Sequence, residues 1–413
     1  MTVTASPQNS TPPILVNAPV VPEAPITELD HMVNHLKQAA YLEMSTIPMY
    51  LYSAFSISSR GYSQWNPGIG PFRLIRSIVV EEMLHLCLVR NLIVALGRGD
   101  QVRFYDPEFI PRYPSDMLHR HPRLMLHLSP CHRDMVKHVF MELERPKADP
   151  GEGRCPPGQY ATIGRFYRAI DKGLTHLAAT MGASLWSGNE PSFQYVAAYW
   201  NNDGGGEPVL IRDLESARGA LTTIVEQGEG IDPSKPSVPI DPLKPVPGLD
   251  EMPHYTKFKR IADGVEPITG TWPLPTDPRS EHYTPDEAVS CINTLFNAAY
   301  CYVLHMLDVI YKTSWQDVSA GQRSPRYHYE RTFISAMQGI LVSVAEIMVA
   351  TPVTAGPHGG TCHAGPTFEY YELPERGKTD HLLKLCHEAM AYFPSLGGDN
   401  GVQWLIGKLP EDL

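Results

Sequence analysis

The residues of this chain that are best suited to chemistry begin with a glutamate–histidine pair inside an apolar segment. In "IVVEEMLHLCLVRNLIVAL", residues 78–96, Glu82 and His85 are three positions apart, so a helix would place them on one face. Glu81 is four positions before His85 and is also a neighbour. Apolar residues cover the rest of this helix, which predicts that it is buried. Because burying an unpartnered carboxylate is costly, a compensating group such as a divalent metal ion is expected.

A second carboxylate repeats this pattern on the preceding helix. Glu43 interrupts an apolar line at helical spacing, and no basic residue lies within one turn of it. Pairs of iron or manganese ions in helical bundles are held by a Glu from each of two helices and a Glu-x-x-His motif from each of the other two. Glu43, Glu82 and His85 therefore match half of such a site.

The second half of the site has less regular candidates. The segment "TTIVEQGEG" places Glu226 and Glu229 three residues apart at a predicted helix end. The segment "DEMPHYTKF" provides Glu251 and His254, again as Glu-x-x-His, and Pro253 predicts that a helix starts there. We consider these four side chains as further metal ligands.

Simpler roles remain open for these residues. One glutamate of the 78–96 segment could pair with Arg76 or Arg90, and His85 could be hydrogen-bonded in the core. The two carboxylates after "TTIV" also fit a solvated helix end, and His254 also fits a surface position. Core packing is the favoured role of the tyrosines at positions 41, 50 and 52, which are near Glu43 in the sequence.

Helices must position these residues, because helix-period segments dominate the chain and strand signals are weak. Thr27 with Asp30 predicts a capped start of the first helix, Pro48 is expected to kink it, and Gly97 ends the second. The predicted helices span residues 27–55, 72–96, 133–144, 162–181, 213–227, 254–262, 285–312 and 329–350.

This pattern predicts an all-α protein with long Pro- and Gly-rich loops, such as "DPSKPSVPIDPLKPVPG". We divide it into a flexible leader, residues 1–25, a metal-binding helical bundle, residues 26–264, and a C-terminal helical extension packed on the bundle, residues 265–413.

Composition limits the partners. The 413 residues are 43% hydrophobic and carry a net charge of -11, so neither nucleic acid nor an anionic membrane surface is an expected partner. Polar residues interrupt the 78–96 segment, one of the most apolar runs in the chain, so we expect no membrane-spanning segment. The N-terminus lacks the pattern of a secretory signal, and the seven cysteines form no CxxC pair. A cytoplasmic location is therefore expected.

Five segments occur in the order found in a known family: "YLEMSTIPMYLY", "IVVEEMLHLCLVRNLIVALG", "TIGRFYRAIDKGL", "IVEQGEG" and "HYTKFKRI". Over roughly residues 30–265 the chain thus resembles the ferritin-like domain of iminophenyl-pyruvate dimer synthase. The resemblance implies a ferritin-like helical bundle with metal inside, and it implies as ligands Glu43, Glu82, His85, Glu226 and His254. Arg165 stands where the family tends to have an acidic residue, which leaves the number of metal ions open.

Bacterial enzymes of this family act in violacein-like bisindole pathways. The resemblance therefore implies a non-haem, di-iron oxidase or oxygenase that acts on a small aromatic, amino-acid-derived substrate in secondary metabolism, with oxidative coupling among its reactions. Carboxylate and imidazole ligands suit one or two iron ions, or manganese, whose open positions bind dioxygen or peroxide. The alternatives are an iron-handling, ferroxidase-like protein without an organic substrate and a metal-free scaffold.

Overall fold

The structure, a computed structural model, describes residues 26–59, 70–146, 155–156, 159–196, 206–228, 252–316 and 324–411. Its helices are α1 (Leu29–Ser56), α2 (Pro71–Ala95), α3 (Arg133–Met135, π-helical Val136–Phe140 and Met141–Leu143 in continuity), α4 (Ile163–Met181), α5 (Leu214–Gly228), α6 (His254–Ala262), α7 (Ser280–Tyr283), α8 (Glu287–Tyr311), α9 (Pro325–Ala350, π-helical over Ser335–Leu341), α10 (Lys378–Met390) and α11 (Val402–Ile406). Within the described residues the one sheet pairs β1 (Ser115–Asp116) with β2 (Met125–Leu126), antiparallel. The predicted all-α class is confirmed.

Four helices form the bundle that carries the site. α1 and α2 share the most extensive helix–helix contact, α4 packs on α1 and α5, and α5 packs on α2, which closes a ring of four. α6 and α3 lie against each other beside this ring, and α6 also contacts α2. Most apolar residues of α2 are buried, as its sequence predicts, because helices cover it on several sides, while Val80 and Met83 are half-buried.

The start of α1 differs from the prediction. Glu28 occupies the N-cap position and makes no side-chain capping bond, so the cap predicted from Thr27 and Asp30 is wrong. The helix continues through Pro48, whose ring nitrogen cannot donate a hydrogen bond. Near this proline, the hydroxyl of Tyr113 donates to the carbonyl oxygen of Ser45 at 2.5 Å. A tertiary contact thereby supplies a hydrogen bond where a proline weakens the helical ladder.

The C-terminal helices pack against the bundle. α8 is buried along most of its length and contacts α9 and α10, and the last part of α9 contacts α1. Asp308 of α8 accepts hydrogen bonds from the backbone N–H groups of Phe104 at 2.9 Å and Tyr105 at 3.0 Å, which ties α8 to the segment after α2. α10 and α11 were not predicted. The proposed boundary near residue 264 stays a prediction.

One helix within the described residues is long and apolar enough to cross a membrane, by length and composition alone. It is α9, whose most apolar stretch is 39% buried. The sequence predicts a helix over residues 329–350, within α9, but no membrane span there. Core helices meet the same criterion, and α9 packs on α8 and α11 here, so this finding is weak evidence for a membrane span.

Candidate metal centre

Five buried side chains meet inside the bundle. Glu43 comes from α1, Glu82 and His85 from α2, and His254 from the first turn of α6, while Glu144 directly follows α3. None of the five is more than 4% exposed. We call them the carboxylate–histidine cluster.

The cluster consists of two groups that share one carboxylate. One potential ligand atom from each of Glu43, Glu82 and His85 lies within 4.8 Å of the other two, and the same holds for Glu82, Glu144 and His254. Glu82 belongs to both groups. A carboxylate between two groups of ligands can bridge two metal ions, which is the arrangement of carboxylate-bridged di-iron bundles.

The two imidazoles face the carboxylates. Nδ1 of His85 lies 3.4 Å from Oε2 of Glu43 and 3.9 Å from Oε2 of Glu82. Nδ1 of His254 lies 2.9 Å from Oε1 of Glu82 and 3.5 Å from Oε2 of Glu144, yet it makes no hydrogen bond of acceptable geometry within the described residues. A buried imidazole nitrogen directed at two carboxylates in this way fits a metal ligand.

Each carboxylate of the cluster accepts a hydrogen bond from a hydroxyl group. The pairs are Thr46 to Glu82 at 2.8 Å, Tyr50 to Glu144 at 2.6 Å, and Tyr167 to Glu43. Nε2 of His85 lies 2.9 Å from the side-chain oxygen of Gln227 on α5. Such outer partners fix the orientation of metal-binding side chains, so the cluster is held in place before any metal binds.

Glu81 does not belong to the cluster, and a buried lysine neutralises its charge. Its Oε2 accepts hydrogen bonds from Nζ of Lys257 at 2.5 Å and from Nε2 of His254 at 2.9 Å, and all three side chains are at most 1% exposed. The bond from Nε2 holds Nδ1 of His254 toward the cluster. Arg90, considered above as a partner, instead lies over the rings of Phe104 and Tyr311.

Burial and mutual charge shift the pKa values of the cluster. Burial raises the pKa of Glu82 to about 7, and the negative charges of Glu144 and Glu43 add to this, while the nearby imidazole of His254 acts to lower it. Burial also opposes ionisation of Glu43, but its hydrogen bond with His85 and the charge of His85 outweigh that cost and lower its pKa.

Burial and the nearby carboxylates act in opposite directions on the pKa values of the two histidines. Burial lowers the pKa of His254, but the charge of Glu144 and the hydrogen bonds with carboxylates raise it well above its usual value. Burial likewise lowers the pKa of His85, and Glu43 and Glu82 together raise it. Protons bound by the cluster thus balance the negative charge of its carboxylates in the metal-free protein. A metal ion would replace them, because ligands must be deprotonated.

Of the predicted ligands outside the cluster, the structure describes only Glu226. Glu226 is half-buried near the end of α5 and belongs to neither group of cluster ligands, while the next residue, Gln227, reaches His85. Glu229 and Glu251 lie outside the described residues. The assignment of each as a ligand stays a prediction. A surface position for His254 is wrong, because its side chain is fully buried.

Two cluster contacts were missed from the sequence. Glu144 lies in "LERP", where the helical spacing ends and no longer indicates which way a side chain points. On α4, Arg165 is half-buried and Tyr167, two residues later, provides the contact with Glu43. The third bundle helix therefore contributes the hydroxyl group of Tyr167, whereas the resemblance implied an acidic residue at position 165.

A four-helix bundle with buried carboxylates and imidazoles is the architecture of ferritin-like di-metal proteins. The family described as ferritin-like matches residues 36–263, more than half of the chain. The chain belongs to the ferritin-like family, as its fold and its sequence motifs predict.

Two individual proteins are also similar to this chain. The chain is 24% identical over 399 residues to the dichlorochromopyrrolate synthase of Lentzea aerocolonigenes, an alignment that covers 85% of this chain and 37% of the synthase. The chain thus spans little more than a third of this curated relative. A crystal structure of a ferritin like protein from Caulobacter vibrioides superposes with a TM-score of 0.50 and 21% identity, covering 79% of this chain and 96% of that one. This second likeness concerns the fold alone.

Proposed function

We propose that this chain is a non-haem, metal-dependent oxidoreductase that holds one or two iron ions, or manganese, in the carboxylate–histidine cluster. The observation that carries the proposal is the convergence of three carboxylates and two imidazoles, all buried, into two ligand groups that share Glu82. Within the described residues no lysine or arginine bonds to these three carboxylates. A cation between them removes the cost of burying their charge.

The chain's own residues have distinct tasks in this site. Glu43 with His85, and Glu144 with His254, would hold the metal on either side of Glu82. When bound, the metal supplies redox chemistry with dioxygen or peroxide. Thr46, Tyr50 and Tyr167 orient the carboxylates through their hydroxyl groups, and the burial of the cluster excludes bulk water.

The substrate class follows from the relative and from the family resemblance. The name of the Lentzea aerocolonigenes protein is that of a synthase, and the aligned region covers most of this chain. We propose a small aromatic, amino-acid-derived molecule as the substrate, and oxidation or oxidative coupling in secondary metabolism as the reaction.

Oxygen uptake tests this function. The purified chain, loaded with iron(II) and freed of excess metal, should consume dioxygen when aromatic amino acids and their keto or imino derivatives are added one at a time. Uptake that follows added iron(II) alone, with no dependence on any organic compound, would instead support iron handling. A protein that takes up neither iron nor manganese would support the scaffold alternative and contradict the proposal.

Replacement of cluster residues tests whether they hold the metal. Glu82→Ala and His85→Ala should each lower metal affinity by about tenfold or more, because even loss of an outer hydrogen-bond partner costs ~10–100-fold. Glu142→Ala is the matched control, since Glu142 lies on α3 close to Glu144 but has a side chain that is 43% exposed. Unchanged metal content in both cluster variants would refute the assignment.

A further inference from the structure

A second internal space lies apart from the carboxylate–histidine cluster. It is a cavity of about 130 Å³ between the α1–α2 pair and the C-terminal helices α8 and α9. Its walls are almost entirely apolar, and they include Met44 and Ile47 of α1, Met83 of α2, Leu304 of α8, and Phe333 and Met337 of α9.

The cavity and the cluster use different faces of the same two helices. Met44 follows Glu43 and Met83 follows Glu82, and one residue corresponds to a rotation of about 100° around a helix. None of the five cluster residues lines the cavity. The cavity is therefore a separate compartment, formed where the C-terminal extension covers the outer face of the bundle.

One residue that lines the cavity has an unsatisfied polar group. Tyr300 of α8 lines the cavity and is 4% exposed, and its hydroxyl has no hydrogen-bond partner within the described residues. Tyr311, on the same wall, has its hydroxyl 3.3 Å from the carbonyl oxygen of Cys87 and is satisfied. Leaving a buried hydroxyl unpaired costs free energy, so the Tyr300 hydroxyl is suited to bind a polar atom of a ligand.

The wall formed by α9 is irregular. Residues Ser335–Leu341 are π-helical, and this segment places Met337, Gln338 and Leu341 along the cavity. Gln338 is exposed, so the cavity borders on solvent there. π-Helical turns interrupt regular helices at a cost and are frequent at functional sites, which is an independent indication that this wall has a binding role.

We propose that this cavity binds a neutral aromatic molecule of one ring or two fused rings, with the Tyr300 hydroxyl as its hydrogen-bond partner. An apolar cavity of about 150 Å³ stays dry and binds benzene, so the space here suits a ligand of that class. The proposal goes beyond the oxidoreductase function and does not rest on it, since a metal-free protein would have the same cavity.

Indole and benzene are the probes for titration calorimetry with the full chain. Both should bind saturably with one site, and indole should bind more tightly because its N–H can donate to Tyr300. Tyr300→Phe should weaken indole about three- to tenfold, the effect of one hydrogen bond, and leave benzene unchanged. Absence of saturable binding for both probes would overturn the proposal, as would equal effects of Tyr300→Phe on the two probes.

A substitution that fills the cavity tests whether the probes bind there. Met337→Trp should abolish binding of both probes, while Ile347→Trp, on the same helix but outside the cavity wall, should leave binding unchanged. Retained binding in Met337→Trp would place the probes elsewhere and overturn the proposal. If either variant fails to fold, crystals of the unmodified chain soaked with bromobenzene decide: a bromine peak between α2, α8 and α9 supports the site, and a peak only elsewhere contradicts it.

Discussion

α1 and α2 present two contrasting faces to their surroundings. Toward the bundle interior they contribute carboxylates and an imidazole that are hydrogen-bonded by Thr46, Tyr167 and Gln227. Toward α8 and α9 they contribute methionine, isoleucine and valine side chains around an open cavity. The inner face carries buried charged groups, whereas the outer face carries apolar side chains around a cavity that borders on solvent at Gln338.

The contrast shows how a pair of all-round apolar helices can present two chemically different faces. On the inner face, charge is tolerated because every carboxylate has a donor, and Glu81 has its own cation in Lys257. On the outer face there is little charge to compensate, and imperfect packing leaves room for a ligand. Substitutions that remove a charge partner or a hydrogen-bond donor should therefore affect the inner face, and substitutions that fill space should affect the outer face.

The largest expected effect is the loss of Lys257 on the charged side. Lys257→Met removes the ammonium partner of Glu81 in a dry interior and leaves the carboxylate with His254 alone, which should lower the free energy of unfolding by about 3–5 kcal/mol in urea denaturation. The double variant Glu81→Gln with Lys257→Met should lose clearly less, because it removes both charges.

The neighbouring surface lysine is the control for this substitution. Lys259 is 53% exposed and pairs with Asp263 at the surface, so Lys259→Met should change stability by less than about 1 kcal/mol. If Lys257→Met and Lys259→Met destabilise equally, the interior ion pair does not have the role assigned here.

A smaller effect is expected where a hydroxyl orients a cluster carboxylate. Tyr50→Phe removes the donor to Glu144 and should lower metal affinity by about tenfold, measured by competition with a chelator. Tyr52→Phe is the matched control, because the Tyr52 hydroxyl donates to the carbonyl oxygen of Pro275 and not to the cluster. Equal metal affinity in both variants would argue against an orienting role of Tyr50.

The smallest effect is expected on the apolar side. Val303 lines the cavity, so Val303→Ile adds a methylene group into free space and should raise the free energy of unfolding by about 0.8 kcal/mol. Val289, on the same helix, is buried but does not line the cavity, and Val289→Ile should destabilise through overpacking. If Val303→Ile is as destabilising as Val289→Ile, there is no free space beside Val303, and the outer face is packed as tightly as the rest of the core.

Helical periodicity explains what could be predicted from the sequence. The bounds of α1 and α2 differ from the predicted ones by one or two residues, and the apolar patterns that surround Glu43, Glu82 and His85 indicated their burial correctly. These patterns extend over several turns, so a small error in a helix end does not change which face is buried.

The rest of the site depends on tertiary structure. Gln227, and not its neighbour Glu226, reaches His85, and a shift of one residue changes direction by about 100° on a helix. Glu144 follows the end of α3, where no periodicity indicates its direction. The cavity arises between α2 and α9, about 250 residues apart in the chain, so local patterns cannot reveal it.

The central claim is that acids from separate helices converge around a cation, and anomalous X-ray scattering tests it most directly. Crystals of the full chain, purified after loading with iron or manganese, should be measured on both sides of the iron and manganese absorption edges. We predict one or two anomalous peaks within bonding distance of Glu82, one beside His85 and Glu43 and the other beside His254 and Glu144. A loaded protein whose anomalous peaks all lie outside this cluster would contradict the account.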